Sequence, residues 1–238
     1  MKSKERRIGF HSIESIIENN PHKIKKLFLP FSRDDKRLNN LIELSKKNDI
    51  NFEISKKLKK EPEAIIINEE TLNFKDLKNF VNEFENNALL ILILDNIIDP
   101  RNLGACIRSA AVLDVDALII NKHHCAPLND IAHSVSAGGA EIIKTFQISN
   151  LINCIKYLKN LNIKIFGLSE HAKENYTDNN FTESCAIIMG SEEFGIRKKT
   201  LESCDSLIKL NNNKKFKSFN VSVATGIILS EVSRQRKC

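Results

Sequence analysis

The most constraining feature of this chain is the segment ALLILILD, Ala88 to Asp95. Successive side chains of a strand point to opposite faces, so an apolar run without polar alternation predicts a strand buried on both sides. Such strands belong to parallel sheets covered by helices. The rest of the chain repeats the theme. A turn holding Pro100 precedes a predicted helix from Leu103 to Leu113. Strand Ala117 to Ile120, a helix near Ile131, strand Glu141 to Phe146 and helix Asn150 to Lys159 come next. Strand Ile163 to Leu168, strand Ala186 to Gly190, a short helix after Ile196, strand Ser206 to Leu210 and helix Val221 to Arg234 complete it. This alternation predicts an α/β fold with a parallel sheet. Ligands of such sheets sit beyond the carboxyl ends of the strands.

The front of the chain is different in pattern and in charge. Helix Phe10 to Glu18, strand Ile24 to Leu29, helix Asp34 to Lys47 and strands Asn51 to Ile54 and Ala64 to Ile67 predict a small αβαβ module. Residues 68 to 87 are polar and read as a linker with a helix near Leu77. The expected division is therefore 1–67, a linker 68–87, and a second domain 88–238. Residues 1 to 60 hold 16 Lys plus Arg against 8 Asp plus Glu, a net of +8, whereas the remainder hold 20 against 22. A basic front module fits a polyanionic partner, because neutralised phosphates release counterions. A solvated lysine-rich surface would look the same. The longest apolar run is far shorter than the roughly 20 residues of a membrane-spanning helix. The basic N-terminus lacks the apolar stretch of a secretory signal, so the expected location is the cytoplasm. Six scattered cysteines without CxxC spacing fit free thiols in a reducing compartment, and the cluster His123, His124, Cys125 reads as loop, so no metal site is expected.

Several chemistries are excluded by absence. No GxGxxG follows a strand, and Gly138–Gly139 precede a strand instead of opening a helix. Ile196 and Arg197 stand where a phosphate loop needs Lys and Ser or Thr, and GxSxG is missing. Three polar segments that follow strands remain. In the first, DNIIDPRNLGACIRS from Asp95, Asn102 sits at a strand-to-helix turn, and Arg108 falls in the first helical turns, within reach of the sheet end. Asn102 as a cap and Arg108 as a surface cation are the plain structural alternatives. In the second, MGSEEFGI from Met189, Gly190 and Gly195 bracket Glu192 and Glu193, which either serve a ligand or complement a helix dipole. In the third, a polar loop after Ile208 runs into Ser218 and Asn220, either of which fits an N-cap.

Together NLGACIR at 102 to 108, IMGSEEFGI at 188 to 196 and SFNVSVATGIILSE at 218 to 231 resemble, in order, the three motifs of the SpoU (TrmH-like) branch of the SPOUT RNA methyltransferases. IGFHSIESIIE at 8 to 18 and DDKRL at 34 to 38 resemble the N-terminal substrate-binding domain of bacterial members that methylate a guanosine ribose in large-subunit ribosomal RNA. The resemblance implies a parallel-sheet domain with a deep trefoil knot, S-adenosyl-L-methionine as cofactor, ribosomal RNA as partner and a homodimer, without metal or membrane. It also implies active-site positions at Asn102, Arg108, Glu192, Ser218 and Asn220. Cofactor positions fall at Gly190, Gly195, Ile208 and Phe219, with Leu168 and Leu210 beside them. The chain departs from the family at Lys209 and Asn212, where Pro and Gly are common, and at Phe219, commonly Leu. It has a longer loop at 211 to 217, and LKKEPEAIII at 58 to 67 lacks an HQG-like element. A transfer-RNA ribose methyltransferase and a catalytically silent RNA-binding relative are the alternatives.

Overall fold

The computed structural model describes residues 4–67, 71–85, 88–191, 193–210 and 219–237. Among these, two sheets form, one of four strands and one of seven. The first sheet orders β1 (Lys4–Ile8), β4 (Glu63–Ile67), β2 (Ile24–Pro30) and β3 (Phe52–Ser55), with β1–β4 and β4–β2 antiparallel and β2–β3 parallel. Helices α1 (Phe10–Asn19) and α2 (Lys36–Lys47) cover one face, burying Phe10, Ile13, Ile16, Ile17, Leu38 and Leu41 against Leu27, Leu29, Ala64 and Ile66. Asp35 caps α2 through Leu38 N at 3.0 Å. The module thus starts with a strand that the αβαβ reading omits. KERRI shows no apolar alternation because its inward residue is an arginine.

The second sheet orders β7 (Lys144–Ile148), β6 (Ala117–Asn121), β5 (Leu90–Leu94), β10 (Cys185–Met189), β8 (Lys164–Leu168), β11 (Ser206–Lys209) and β9 (Glu174–Asn175), every pairing parallel. As the apolar run requires, β5 is buried throughout. Leu90, Leu92 and Leu94 face α4 (Pro100–Val112), α5 (Asp130–Ser136) and α9 (Val221–Arg236), while Ile91 and Ile93 face α3 (Phe74–Asn82) and α7 (Leu151–Asn160), with the short α8 (Lys198–Leu201) packed on the same side. From β5 the chain moves outward to β6 and β7, then returns to the other side. The switch in strand order therefore lies between β5 and β10. Strand β11 is inserted between β8 and β9, so residues 169–173 cross it, held by Ser169 N to Ile208 O at 2.9 Å.

Several boundaries differ from the sequence expectation. Helix α4 starts at Pro100, with Asp99 accepting from Arg101 N at 2.8 Å; Asp99, not Asn102, is the cap. Glu141 belongs not to a strand but to the one-turn helix α6 (Gly139–Ile142), for which Gly138 is the cap. Gly138–Gly139 do open a helix, although a short one. The segment 71–85 holds α3, whose Leu77 is buried on the seven-stranded sheet, and Leu72 bridges to Phe146 of β7.

Candidate active site

The carboxyl ends of β5 and β10 meet at the switch point, where an α/β sheet offers a crevice. Asp95, the first residue beyond β5, is fully buried. Its Oδ1 accepts from Arg197 Nε at 2.8 Å and from Asn121 Nδ2 at 3.2 Å. A buried carboxylate needs such charged and hydrogen-bonded partners. Arg197 closes the loop that follows β10, so the pair pins that loop to the end of β5. Asn96 Nδ2 adds a bond to Ser191 Oγ at 3.3 Å.

The loop folds back tightly on itself. Ser191 N donates to Gly195 O at 3.1 Å and Gly195 N to Ser191 O at 2.9 Å. A Cβ on Gly190 would lie 2.1 Å from both Gly195 C and Ile196 N, so only glycine fits there. Gly195 adopts φ +64 in open space. Gly190 therefore has a structural duty in the loop before any ligand arrives. Glu192 and Ser218 lie outside the described residues, and Glu193 is exposed.

The first and third segments converge. Asn220 caps α9, its Oδ1 accepting from Ser222 N at 3.0 Å, which leaves its Nδ2 to donate to Asn102 Oδ1 at 3.1 Å. Behind this pair the two helices pack through Cys106 Sγ and Thr225 Oγ1, 3.4 Å apart in the core. Asn102 and Asn220 thus share one location although 118 residues separate them. Arg108 does not join them within the chain. With α4 starting at Pro100 it lies in the third turn, about 120° around the helix from Asn102, and it is exposed. Its position in the first helical turns, expected from the sequence, is corrected by this earlier start.

Leu168, Ile208 and Leu210 lie at the ends of β8 and β11, and Phe219 lies just ahead of α9. Leu168 and Leu210 are partly buried against the core, and Phe219 is exposed. The side chain of Ile208 is wholly buried, so any ligand contact there is through its backbone. Partly apolar walls beside strand-end backbone groups suit a flat heteroaromatic ring with polar edges. Sequence reasoning missed Asp95, Asn121 and Arg197. The signal for Asp95 and Asn121 was a polar residue directly after an apolar run, at β5 and again at β6; Arg197, in the loop after β10, carried none. Of the thiols, Cys106 packs between α4 and α9, and Cys125 donates to Leu94 O at 3.1 Å beside the end of β5. Burial pushes Cys154 and Cys204 up to about 12 and Cys185 to about 11, which keeps them protonated. Among the described residues, no group of three or more His, Cys, Asp or Glu comes together as metal ligands, and no helix is long and apolar enough to cross a membrane.

A parallel sheet with polar strand-end loops at its switch point places the larger domain among the α/β ligand-binding domains. The chain belongs to the SpoU rRNA methylase family, whose model matches residues 89–230, and the model for RNA 2'-O ribose methyltransferase substrate binding matches residues 8–60. It is 36% identical to the 23S rRNA (guanosine-2'-O-)-methyltransferase RlmB of Acinetobacter baylyi over 99% of both chains. The SpoU methyltransferase AviRb of Streptomyces viridochromogenes, solved in complex with AdoMet, superposes with a TM-score of 0.81 at 18% identity. That match covers 98% of this chain and 91% of AviRb. The TrmH/SpoU tRNA modifying enzyme of A. aeolicus matches at 26% identity and TM-score 0.58, over 68% of this chain and 83% of its own.

Proposed function

We propose that this protein transfers a methyl group from S-adenosylmethionine to the ribose 2'-hydroxyl of a guanosine in 23S ribosomal RNA. The observation that carries the reading is the Asn102–Asn220 contact at the sheet's carboxyl end, in a chain that follows the rRNA-directed relative from end to end. The match to the tRNA modifying enzyme spans only 68% of the chain. That shorter span favours ribosomal over transfer RNA.

The residues fit the cofactor. Leu168, Leu210 and Phe219 offer apolar contact to adenine, and the backbone of Gly190 and Ile208 lies at the strand ends that meet its polar edges. When bound, the cofactor supplies a methyl group already activated on a sulfonium. The chain's own task is then alignment of the 2'-oxygen, which can contribute about 7 to 11 kcal/mol. Asn102, Asn220, Glu192 and Ser218 orient the ribose and its neighbours. Arg108 contacts the adjacent phosphate or the developing alkoxide. A guanidinium stays protonated in proteins, so its role is charge stabilisation, and a phosphate oxygen serves as proton acceptor.

Two further parts belong to the reading. The residues 169–173 that cross β11, together with α9 beyond it, support a trefoil knot in this chain. A homodimer covers the α4 and α9 surfaces, where Val112 and Val223 are exposed, and places Arg108 at the subunit boundary. The first 67 residues form the RNA-binding domain, joined through 68–87 to the methyltransferase domain at 88–238, and the enzyme works in the cytoplasm. RNA contact centres on the tip of the first sheet. There Phe31, 61% exposed, has Lys56 Nζ 5.8 Å from its ring centroid, and the exposed Lys57, Lys59 and Lys60 follow Lys56 in the chain. Aromatic faces and lysines together are what unpaired bases and their phosphates require. Incubation with methyl-tritiated cofactor and ribosomal RNA from a strain lacking the modification tests the reading. Label in the large-subunit RNA is expected; label confined to transfer RNA, or none, refutes it.

A further inference from the structure

Strand β1 carries a guanidinium that leaves its own sheet and reaches helices α5 and α6 of the other domain. Arg7, 5% exposed, approaches Glu141 Oε1 through Nε at 3.1 Å, His133 Nε2 through Nη2 at 2.9 Å and Glu5 Oε2 through Nη2 at 2.7 Å; Asp130 lies 3.8 Å from Nη1. His133 and Glu141, from α5 and α6, are also buried. A guanidinium only donates, so His133 Nε2 accepts and the ring proton sits on Nδ1. That nitrogen lies 2.9 Å from the same Glu141 oxygen, close enough for an ion-dipole contact though not aligned as a hydrogen bond. Burial pushes the Glu141 carboxyl up, but His133 and Arg7 outweigh it and hold it below the usual range.

Helix α1 seats on the same place. Ser12 Oγ donates to His133 O at 3.4 Å and Ser15 Oγ to Gly138 O at 3.2 Å. Gly138 has φ +95, and a Cβ on it would stand 2.8 Å from Ser15 Cβ. A Cβ on Gly139 would stand 3.2 Å from Ile107 O and 3.4 Å from Arg108 Cα. The glycine pair is therefore pressed between α1 of the first module and the turn of α4 that carries Arg108.

We propose that Arg7 is a positioning residue, locking the RNA-binding module onto the back of α4 so that the span from its RNA contacts to Arg108 is set and selects which nucleotide is methylated. This rests on the methyl-transfer reading above. Two sites on one RNA gain from each other only while their separation matches, so a loosened module loses both affinity and choice of nucleotide. Without Arg7, the buried Glu141 also loses a charged partner, which favours separation of the two surfaces.

The full chain carrying Arg7→Ala tests this. RNA affinity is read by filter binding, cofactor affinity by calorimetry, methylated positions by primer extension, and docking by amide exchange over residues 10–17 and 137–142. Expected are an RNA Kd weakened by about tenfold, label spread to nucleotides around the target, faster exchange in both segments, and cofactor Kd unchanged within about twofold. An unchanged RNA Kd with an unchanged methylation site overturns the proposal. So does a loss of cofactor affinity equal to the loss for RNA, which would make Arg7 a support of the catalytic body alone. Should Arg7→Ala not fold, Glu141→Gln removes the opposing charge at constant shape and is read in the same way. A wild-type chain that binds RNA without ever methylating it refutes the methyl-transfer reading instead, while exchange and RNA affinity still report on docking.

Discussion

The two sheets of this protein differ in how they are buried. All five residues of β5, β6 and β10 are sealed between helices, whereas β4 alternates, with Ala64 and Ile66 buried and Glu63, Ile65 and Ile67 partly exposed. The seven-stranded sheet is therefore a rigid carrier whose strand ends hold chemistry. The four-stranded sheet is covered on one face, and it gains a second support where Arg7 docks on α5 and α6. Position and reaction are divided between them.

Truncation in each sheet probes the difference. Leu92→Ala, in a fully buried strand, is expected to cost about 2 to 5 kcal/mol, read by urea unfolding; a cost below that range would mean the two-sided core is less closely packed than its burial implies. Arg108→Ala tests the chemical side, with an expected fall in kcat of about 10²- to 10³-fold. Its cofactor Kd and Tm should stay as in the wild type, because the residue is exposed. Retained turnover would remove Arg108 from the reaction. The combined change of Lys56, Lys57, Lys59 and Lys60 to Ala should weaken RNA binding about tenfold. It should also flatten the dependence of log K on log salt by roughly 0.7 to 0.9 for each phosphate that is no longer neutralised. An unchanged slope would move RNA binding away from this tip. Ile65→Ala on the partly exposed face should cost the least, about 1 kcal/mol, and a cost equal to that of Leu92→Ala would erase the distinction between the sheets.

What was legible in the sequence follows the same division. Apolar runs located β5, β6, β8 and β10 to within a residue or two, since burial on both faces leaves little freedom of residue type. Helix α4 began earlier than expected because Asp99 and Pro100 supply both the cap and the first helical position. Strand β1 was invisible because Arg7 faces inward, and beyond its neighbour Glu5 the partners of that charge include His133 and Glu141, more than 120 residues away. For the same reason Glu141 read as the start of a strand, whereas it lies within a one-turn helix. At the site, motif order located Asn102 and Asn220, which do meet. It did not reveal that Arg108 turns aside, which depends on the register of α4, or that Asp95 and Arg197 clamp the loop after β10.

Transfer of a deuterated methyl group from labelled cofactor to purified 23S RNA, followed by nucleoside mass spectrometry, tests the central claim most directly. The account predicts the heavy methyl in 2'-O-methylguanosine and in no other nucleoside. Heavy methyl on a base, on another nucleoside, or on no nucleoside would contradict it.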